Sequence, residues 1–326
     1  MTPVEDAIEP DLPICDPHHH LWNNPDSRYL LDDLKADTSS GHNVLATVYI
    51  ECMSSYRAAG PEHLRPVGET EFVVRTDPDG FVAGIVGYAD LRSPAVEDVI
   101  AAHIEAGAGR FRGIRQPCAT DPSPAIRPSA RNPPPNLLAD EAFRSGIAAL
   151  GRAGLSFDAW LYHPQIGQLV DLALTQPDVL IILNHLGGPL GVGPYHDRRE
   201  VVDSWKASMA RLARCPNVMV KLGGIGMRVF GVRSARGLGD ATSQELSTFW
   251  GDQISWCIEQ FGVGRCMFES NFPVDRTTCS YPVLWNAFKK IAAGASAGEK
   301  AALFSGTARR TYRLPVVDPT RSPACR

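Results

Sequence analysis

Eight short runs rich in apolar and β-branched residues recur along the whole chain, and helical patterns separate them. In residue numbers, the runs are 14–20, 44–51, 81–89, 111–116, 155–162, 179–186, 218–222 and 266–271. A strand followed by a helix, repeated about eight times, is typical of a barrel with parallel strands inside and helices outside. The pattern therefore predicts a (β/α)8 TIM barrel. An open, doubly wound sheet is the alternative, but no G-x-G-x-x-G motif follows a strand to support it.

The helical patterns between the runs favour the same fold. Apolar residues spaced at i, i+3, i+4 and i+7 form one face of a helix, and this spacing occurs at Ile166, Leu169, Val170 and Ala173. Further helices are predicted over residues 197–214, 244–261, 281–293 and 298–312. One barrel can take up most of a chain of 326 residues. We predict a single barrel domain over residues 14–314, an acidic N-terminal tail over 1–13 and a C-terminal tail over 315–326.

The composition limits the classes of molecule that the protein is expected to bind. The formal net charge is -4 and the pI is about 6.1, which makes the protein a poor candidate for binding nucleic acid or an anionic membrane. No apolar run approaches the roughly 18 residues of a membrane-spanning helix, and the acidic N-terminus does not resemble a secretory signal. The eight cysteines include no C-x-x-C pair, which favours free thiols. We expect a cytoplasmic protein that acts on a small molecule, with a homo-oligomer left open.

A cluster of histidines ends the first predicted strand, in the segment Asp16-Pro17-His18-His19-His20-Leu21-Trp22. Side chains alternate along a strand, so Asp16, His18 and His20 share one face. His185 ends the sixth predicted strand, and in a barrel both strand ends open on the same mouth. Three imidazoles there could bind one divalent metal ion, with Asp16 orienting a ligand. A lone H-x-H pair, or a lone buried histidine, is more often structural.

Seven short motifs together resemble one known family. They are DPHHHLW (16–22), GIRQ (113–116), WLYHPQ (160–165), NHLGGP (184–189), VMVKLGG (218–224), FESNFPVD (268–275) and TARRTYRL (307–314). In order and spacing, they resemble the amidohydrolase superfamily. Within it, the chain looks like the branch of TIM-barrel hydrolases that contains 2-pyrone-4,6-dicarboxylate lactonase and related lactone hydrolases. The resemblance runs from the first strand to the last helix.

The resemblance implies which residues catalyse the reaction. His18, His20 and His185 match the catalytic histidines that bind or face a metal ion, for which zinc is the first choice. Asn271 stands where the family carries an aspartate that binds metal and accepts a proton from water. An amide cannot act as a carboxylate base, so metal-free action stays open. A replacement base would come from Glu51, Glu269 or Asp275, with Glu51 and Glu269 favoured, or from a neutral histidine. Each of the three carboxylates could also be a structural ion-pair partner.

Other residues are predicted to contact the substrate. The resemblance implies that Arg115 binds a substrate carboxylate, a role that the planar guanidinium suits. The residues predicted to line the pocket are Trp22, His163 and Gln165. His163 could also be a metal ligand or a packing residue. Lys221 is expected to be a buried cation paired with an acid. Two long loops, 117–136 and 223–243, are expected to shape the pocket or simply to decorate the surface.

Three functions fit these predictions. The first is a hydrolase that opens a lactone, or a related cyclic ester or amide, of a small carboxylated molecule. The second is a metal-assisted decarboxylase, a lyase built on the same barrel. The third is a barrel that has lost catalysis and only binds a small molecule, which the Asn271 substitution suggests. The same barrel supports many reactions, so the sequence leaves the substrate open.

Overall fold

The computed structural model describes residues 5–24, 27–232 and 239–315. Within them, eight parallel strands pair in chain order into one sheet that curls into a barrel. The strands are β1 (Pro13–His19), β2 (Asn43–Ile50), β3 (Val82–Gly87), β4 (Phe111–Ile114), β5 (Ser156–Ala159), β6 (Ile181–Leu183), β7 (Val218–Leu222) and β8 (Cys266–Phe268). The predicted (β/α)8 barrel with a single domain is confirmed.

The barrel closes between its first and last strands at the mouth that carries the histidines. The His20 backbone N–H donates to the Phe272 carbonyl at 2.8 Å, and the Asn271 N–H donates to the His18 carbonyl at 2.9 Å. The Asp16 carboxylate also accepts the Ser270 N–H at 3.0 Å. These bonds join the segment that carries His18 and His20 to the segment that carries Asn271. Closure of the barrel and assembly of the site therefore depend on the same contacts.

Helices follow the strands and cover the barrel. They are α1 (Leu31–Thr38), α2 (Val67–Thr76), α3 (Val96–Ala106), α4 (Glu141–Arg152), α5 (Ile166–Thr175), α6 (Arg198–Leu212), α7 (Ser243–Phe261), α8 (Tyr281–Ile291), α9 (Ala297–Ala301) and α10 (Thr307–Thr311). The helix predicted over 298–312 is instead interrupted, because a π-helical turn over Ala302–Gly306 separates α9 from α10. Tyr312 and Leu314, at the end of this segment, pack into the apolar cluster of the barrel interior.

The acidic segment before β1 lies against the helices. Glu5 accepts the Ser243 backbone N–H at 2.9 Å, at the first residue of α7. Glu9 pairs with Lys300, with Nζ and Oε1 2.5 Å apart, and Lys289 donates to the Glu9 carbonyl at 2.8 Å. The predicted N-terminal tail is therefore packed in its described part. Residues 316–326 of the predicted C-terminal tail lie outside the described residues.

Two expectations from composition can be compared with the structure. The seven cysteines within the described ranges are all free, in line with the predicted thiols, and Cys325 lies outside those ranges. No helix in the described part of the chain combines the length and the apolar character needed to cross a lipid bilayer.

Candidate functional site

The three predicted histidines meet at one end of the barrel. The ring centroids of His18 and His185 are 4.5 Å apart, and those of His18 and His20 are 4.9 Å apart. His185 reaches this position because it follows β6 in a tight turn, where its φ of 53° is the left-handed conformation rare for side-chain-bearing residues. Strand β1 and the turn after β6 thus bring together residues that are distant in sequence.

Each of the three rings has a fixed partner at Nδ1. The His185 Nδ1 lies 2.7 Å from Glu269 Oε1, and the His185 backbone N–H also donates to this oxygen. The His18 Nδ1 lies 2.7 Å from Glu269 Oε2, and the His20 Nδ1 lies 2.8 Å from the Ile50 carbonyl. Burial lowers the pKa of all three histidines, so the rings are neutral at pH 7.

Glu269 makes this cluster a candidate metal centre. Ligand atoms of His18, His185 and Glu269 all lie within 4.8 Å of one another, and all three side chains are buried. Glu269 Oε2 has no aligned hydrogen-bond donor although it is buried. Two imidazoles and a carboxylate with an unsatisfied oxygen are a donor set that suits zinc. The residues present therefore fit a divalent ion. His20 lies outside this group, so the predicted trio differs from the observed one at that position.

A buried ion pair lies below the histidines. Lys221 Nζ, on β7, donates to Asp158 Oδ1 on β5 at 2.9 Å, which confirms the expected cation paired with an acid. The same Nζ lies 3.3 Å from His18 Nδ1 and 4.0 Å from Glu269 Oε2. Tyr312 donates to Asp158 Oδ1 at 2.6 Å. The only sequence signal for Asp158 is a single charge within an apolar strand.

Glu51 and Arg115 bind to each other rather than pointing freely into the barrel mouth. Arg115 Nε donates to Glu51 Oε1 at 3.0 Å, and Arg115 Nη2 donates to the Glu51 carbonyl. The other carboxylate oxygen accepts Arg131 Nη2 at 3.0 Å. Arg131 belongs to the proline-rich loop 117–136, and its guanidinium stacks 3.3 Å above the Tyr88 ring. Both oxygens of Glu51 are thus used, which argues against the predicted catalytic role of this carboxylate.

Asn271 is also held in place. Its Nδ2 donates to Asp275 Oδ1 at 2.8 Å, and Asp275 Oδ2 accepts the Gly226 N–H at the same distance. Burial raises the pKa of Asp275 to about 8. Asp275 lies four residues beyond Asn271 and contacts its amide instead of the histidines. Of the three carboxylates proposed as replacement bases, Glu269 is therefore the one that touches His18 and His185.

A cavity of about 530 Å³ opens over this cluster. It is lined by side chains from the β1, β2, β4, β5, β6 and β8 ends and from the loops, among them His20, Trp22, Glu51, Arg115, Arg127, Arg131, Trp160, His185, Met227 and Asn271. Trp160, which the sequence reasoning did not single out, packs its ring 4.8 Å from that of His185. A second cavity of about 580 Å³ adjoins it and shares Arg131.

Two residues predicted to bind substrate have other partners. His163 Nδ1 accepts the Leu190 N–H at 3.3 Å, and its ring packs 5.0 Å from the Tyr195 ring. Gln165 donates to the Cys118 carbonyl at 2.8 Å and accepts the Thr120 N–H at 3.2 Å. Neither residue belongs to the described lining of the cavity. Gln165 instead anchors the proline-rich loop to the fifth strand end.

Gly224 gives the first testable prediction, because its hydrogen faces the His185 ring. A Cβ at this residue would lie 2.6 Å from His185 Cγ and Nδ1, and its φ is +65°. We expect Gly224→Ala to lower the free energy of unfolding by about 1–3 kcal/mol through overpacking, measured by urea denaturation. Gly251→Ala in α7 is the matched control, since no atom beyond its chain neighbours and the backbone of its own helix lies within 4 Å of the added methyl. Equal stability of the two variants would contradict the placement of His185.

Comparison with known proteins identifies the family of the chain. The amidohydrolase family model matches residues 15–314. The uncharacterized protein y4mH of Sinorhizobium fredii is 35% identical over 329 residues, which cover 93% of this chain and 99% of the relative. The L-fucono-1,5-lactonase of Burkholderia multivorans is 25% identical over 320 residues, which cover 92% of this chain and 96% of the lactonase.

A solved structure extends the comparison to three dimensions. The crystal structure of an amidohydrolase from Burkholderia multivorans with bound zinc matches with a TM-score of 0.73 at 22% identity, covering 93% of this chain and 99% of that chain. This match supports the barrel fold, and the family match confirms the resemblance drawn from the motifs. The chain belongs to the amidohydrolase family.

Proposed function

We propose that this protein is a hydrolase that opens a lactone, or a related cyclic ester or amide, of a small carboxylated molecule. The observation that carries the proposal is the Glu269 carboxylate, which contacts both His18 and His185 at 2.7 Å beside the cavity. A carboxylate held against two neutral imidazoles is suited to accept a proton from attacking water. The similarity to an L-fucono-1,5-lactonase supports a cyclic ester as the substrate.

Glu269 would supply the carboxylate base that Asn271 cannot provide. His185 lies on the cavity wall and has its Nδ1 2.7 Å from Glu269 Oε1, so it connects the buried carboxylate to the substrate. Glu269 Oε1, which faces His185 Nδ1, is the oxygen that would take the proton passed on by His185. The guanidinium of Arg115 lines the cavity and supplies positive charge where the oxyanion develops.

A divalent ion fits the same proposal. His18, His185 and Glu269 would hold it, and the zinc in the related amidohydrolase supports zinc as its identity. When bound, such an ion would polarise the carbonyl group and lower the pKa of water. The protein's own side chains orient the substrate: Trp160 and Trp22 form apolar walls beside His185 and His20.

The substrate carboxylate is assigned to Arg127 instead of the predicted Arg115. Arg115 donates from Nε and Nη2 to Glu51, and its Nη1 faces His18. Arg127 lines the mouth of the cavity, and no described residue forms an ion pair with it. A guanidinium without a protein partner can bind a carboxylate through two parallel hydrogen bonds.

A screen of carboxylated γ- and δ-lactones, followed by proton release, tests the function. We expect turnover of at least one class, and we expect His185→Ala to reduce kcat by roughly 10²–10⁴ through loss of proton transfer. His196→Ala is the matched control, because this histidine is exposed and bonds to Gly193. Unchanged turnover in His185→Ala would refute the site. Release of carbon dioxide without consumption of water would identify a decarboxylase instead.

The cellular setting belongs to the same proposal. We infer a cytoplasmic enzyme with a small-molecule substrate, and the free thiols of the described cysteines support a reducing compartment. The weakly acidic net charge of -4 argues for no nucleic-acid partner.

A further inference from the structure

His18 is contacted by a fixed positive charge on each side of its ring. Arg115 Nη1 donates toward Nε2 at 3.4 Å. Lys221 Nζ lies 3.3 Å from Nδ1. Both cations are buried or nearly so, and His18 itself is fully buried. A candidate metal ligand in this chain is thus placed between an arginine and a lysine.

A neutral imidazole has one N–H group and one lone pair. With the proton on Nδ1, the lone pair at Nε2 accepts the Arg115 N–H. With the proton on Nε2, the lone pair at Nδ1 accepts the Lys221 ammonium. The 2.7 Å contact between Nδ1 and the Glu269 carboxylate favours the first arrangement, because two lone pairs at that distance would repel. In either tautomer, a protein cation already uses the lone pair that a metal ion would need.

Arg115 is held in this position from behind. Its Nε donates to Glu51 Oε1 at 3.0 Å, and its Nη2 donates to the Glu51 carbonyl. Arg131 in turn fixes the other oxygen of Glu51 at 3.0 Å. Removing the guanidinium from His18 therefore requires breaking several buried, charge-assisted hydrogen bonds. These bonds keep Arg115 in contact with His18 unless another cation binds His18 more strongly.

We propose that Arg115 competes with a divalent cation for His18. A metal ion shared with Glu269 would bind at Nδ1, the nitrogen that faces this carboxylate. The ring proton would then move to Nε2, where it would face the guanidinium instead of accepting its N–H. Arg115 then lowers the metal affinity of the site, and Glu51 with Arg131 determines by how much. At low free metal, the guanidinium is the cation that faces the substrate. The inference concerns the same site as the proposed hydrolase, but it can be tested without any substrate.

Zinc affinity of the purified full-length protein tests this competition. A chromophoric chelator would compete with the wild type and with Arg115→Met for zinc. We expect Arg115→Met to bind zinc at least on the order of tenfold more tightly, since one adjacent positive charge is removed. The control is Arg152→Met, because this exposed arginine pairs with Glu97 away from the cavity. Arg115→Lys keeps a charge near Glu51 with a single ammonium, and we expect a smaller gain.

Equal or weaker zinc binding by folded Arg115→Met, with folding checked by circular dichroism, would overturn the proposal. A second measurement uses the wild type alone, should the variant fail to fold. In crystals of the zinc-loaded wild type, Arg115 Nη1 must have left His18 Nε2. A zinc ion bound at His18 with Arg115 still in contact would refute the competition. Because neither measurement follows turnover, a failed lactone screen leaves this result interpretable.

Discussion

Glu269→Gln is expected to reduce kcat by about 10²–10⁴, the usual contribution of a positioned general base. The amide keeps the size and shape of the side chain but loses the negative charge that faces His18 and His185 at 2.7 Å. An amide cannot take up a proton from water at pH 7. Steady-state kinetics on the lactone found by the screen would measure the loss. KM is expected to change little, because Glu269 is not part of the described cavity lining.

The control for this variant is Glu71→Gln, at a half-exposed glutamate that pairs with Arg57 on the surface. Its kcat should equal that of the wild type. A stable Glu269→Gln protein that retains most of its turnover would show that the proton goes elsewhere. In that case, Asp275, which has its pKa raised to about 8 by burial, would be the next carboxylate to vary.

The fold could be predicted because the strands and the helices of the barrel each produce a local pattern in the sequence. Apolar runs mark the strands, and Thr242 and Asp197 mark helix starts by accepting backbone N–H groups of the first turn. The end of the sixth strand was harder to place. The predicted run 179–186 continues past five apolar residues to Asn184, His185 and Leu186, but β6 ends at Leu183, because His185 and Leu186 both adopt positive φ. Asn184, Gly187 and Gly188 are turn-forming residue types, but they do not show that the strand ends before His185.

The histidine cluster was predictable for a different reason. His18 and His20 share a strand face through simple alternation, and the barrel topology brings the end of β6 to the same mouth. Pairings between charged groups were not predictable in this way. Arg115 can bind a substrate carboxylate or Glu51 equally well on chemical grounds. In the structure it binds Glu51, and loop 117–136 brings Arg131 to the other oxygen of that carboxylate. Long-range side-chain pairing depends on loop geometry that no local pattern encodes.

The observed pairings also change how the site is understood. Three acids, Asp158, Glu269 and Glu51, and two cations, Lys221 and Arg115, are buried in contact with the histidines or with one another. Burying isolated charges is unfavourable, so each must keep its partner. Glu269, the proposed base, and His18, the candidate metal ligand, therefore lie among buried positive and negative charges that stabilise one another. Removing any one member is expected to affect stability as well as catalysis.

Lys221→Met should lower the free energy of unfolding by about 3–5 kcal/mol, the cost of breaking a fully buried ion pair by removing one partner. Methionine fills a similar volume, so lost charge and not lost packing would dominate. The Asp158 carboxylate would remain buried with no counter-charge at 2.9 Å, and Glu269 would lose the ammonium 4.0 Å away. Urea denaturation followed by circular dichroism would measure the change.

The double variant Lys221→Met with Asp158→Asn separates charge from packing. An asparagine at this position still accepts the Tyr312 hydroxyl, which bonds to Asp158 Oδ1 at 2.6 Å, but it carries no charge that needs compensation. We expect the double variant to recover most of the stability lost in Lys221→Met, so that the effects of the two single substitutions are strongly non-additive, as found for residues in contact. Additive effects of the two substitutions would show that Lys221 stabilises the barrel through packing alone. Recovery would establish that the ammonium is retained for its charge, next to His18 and Glu269.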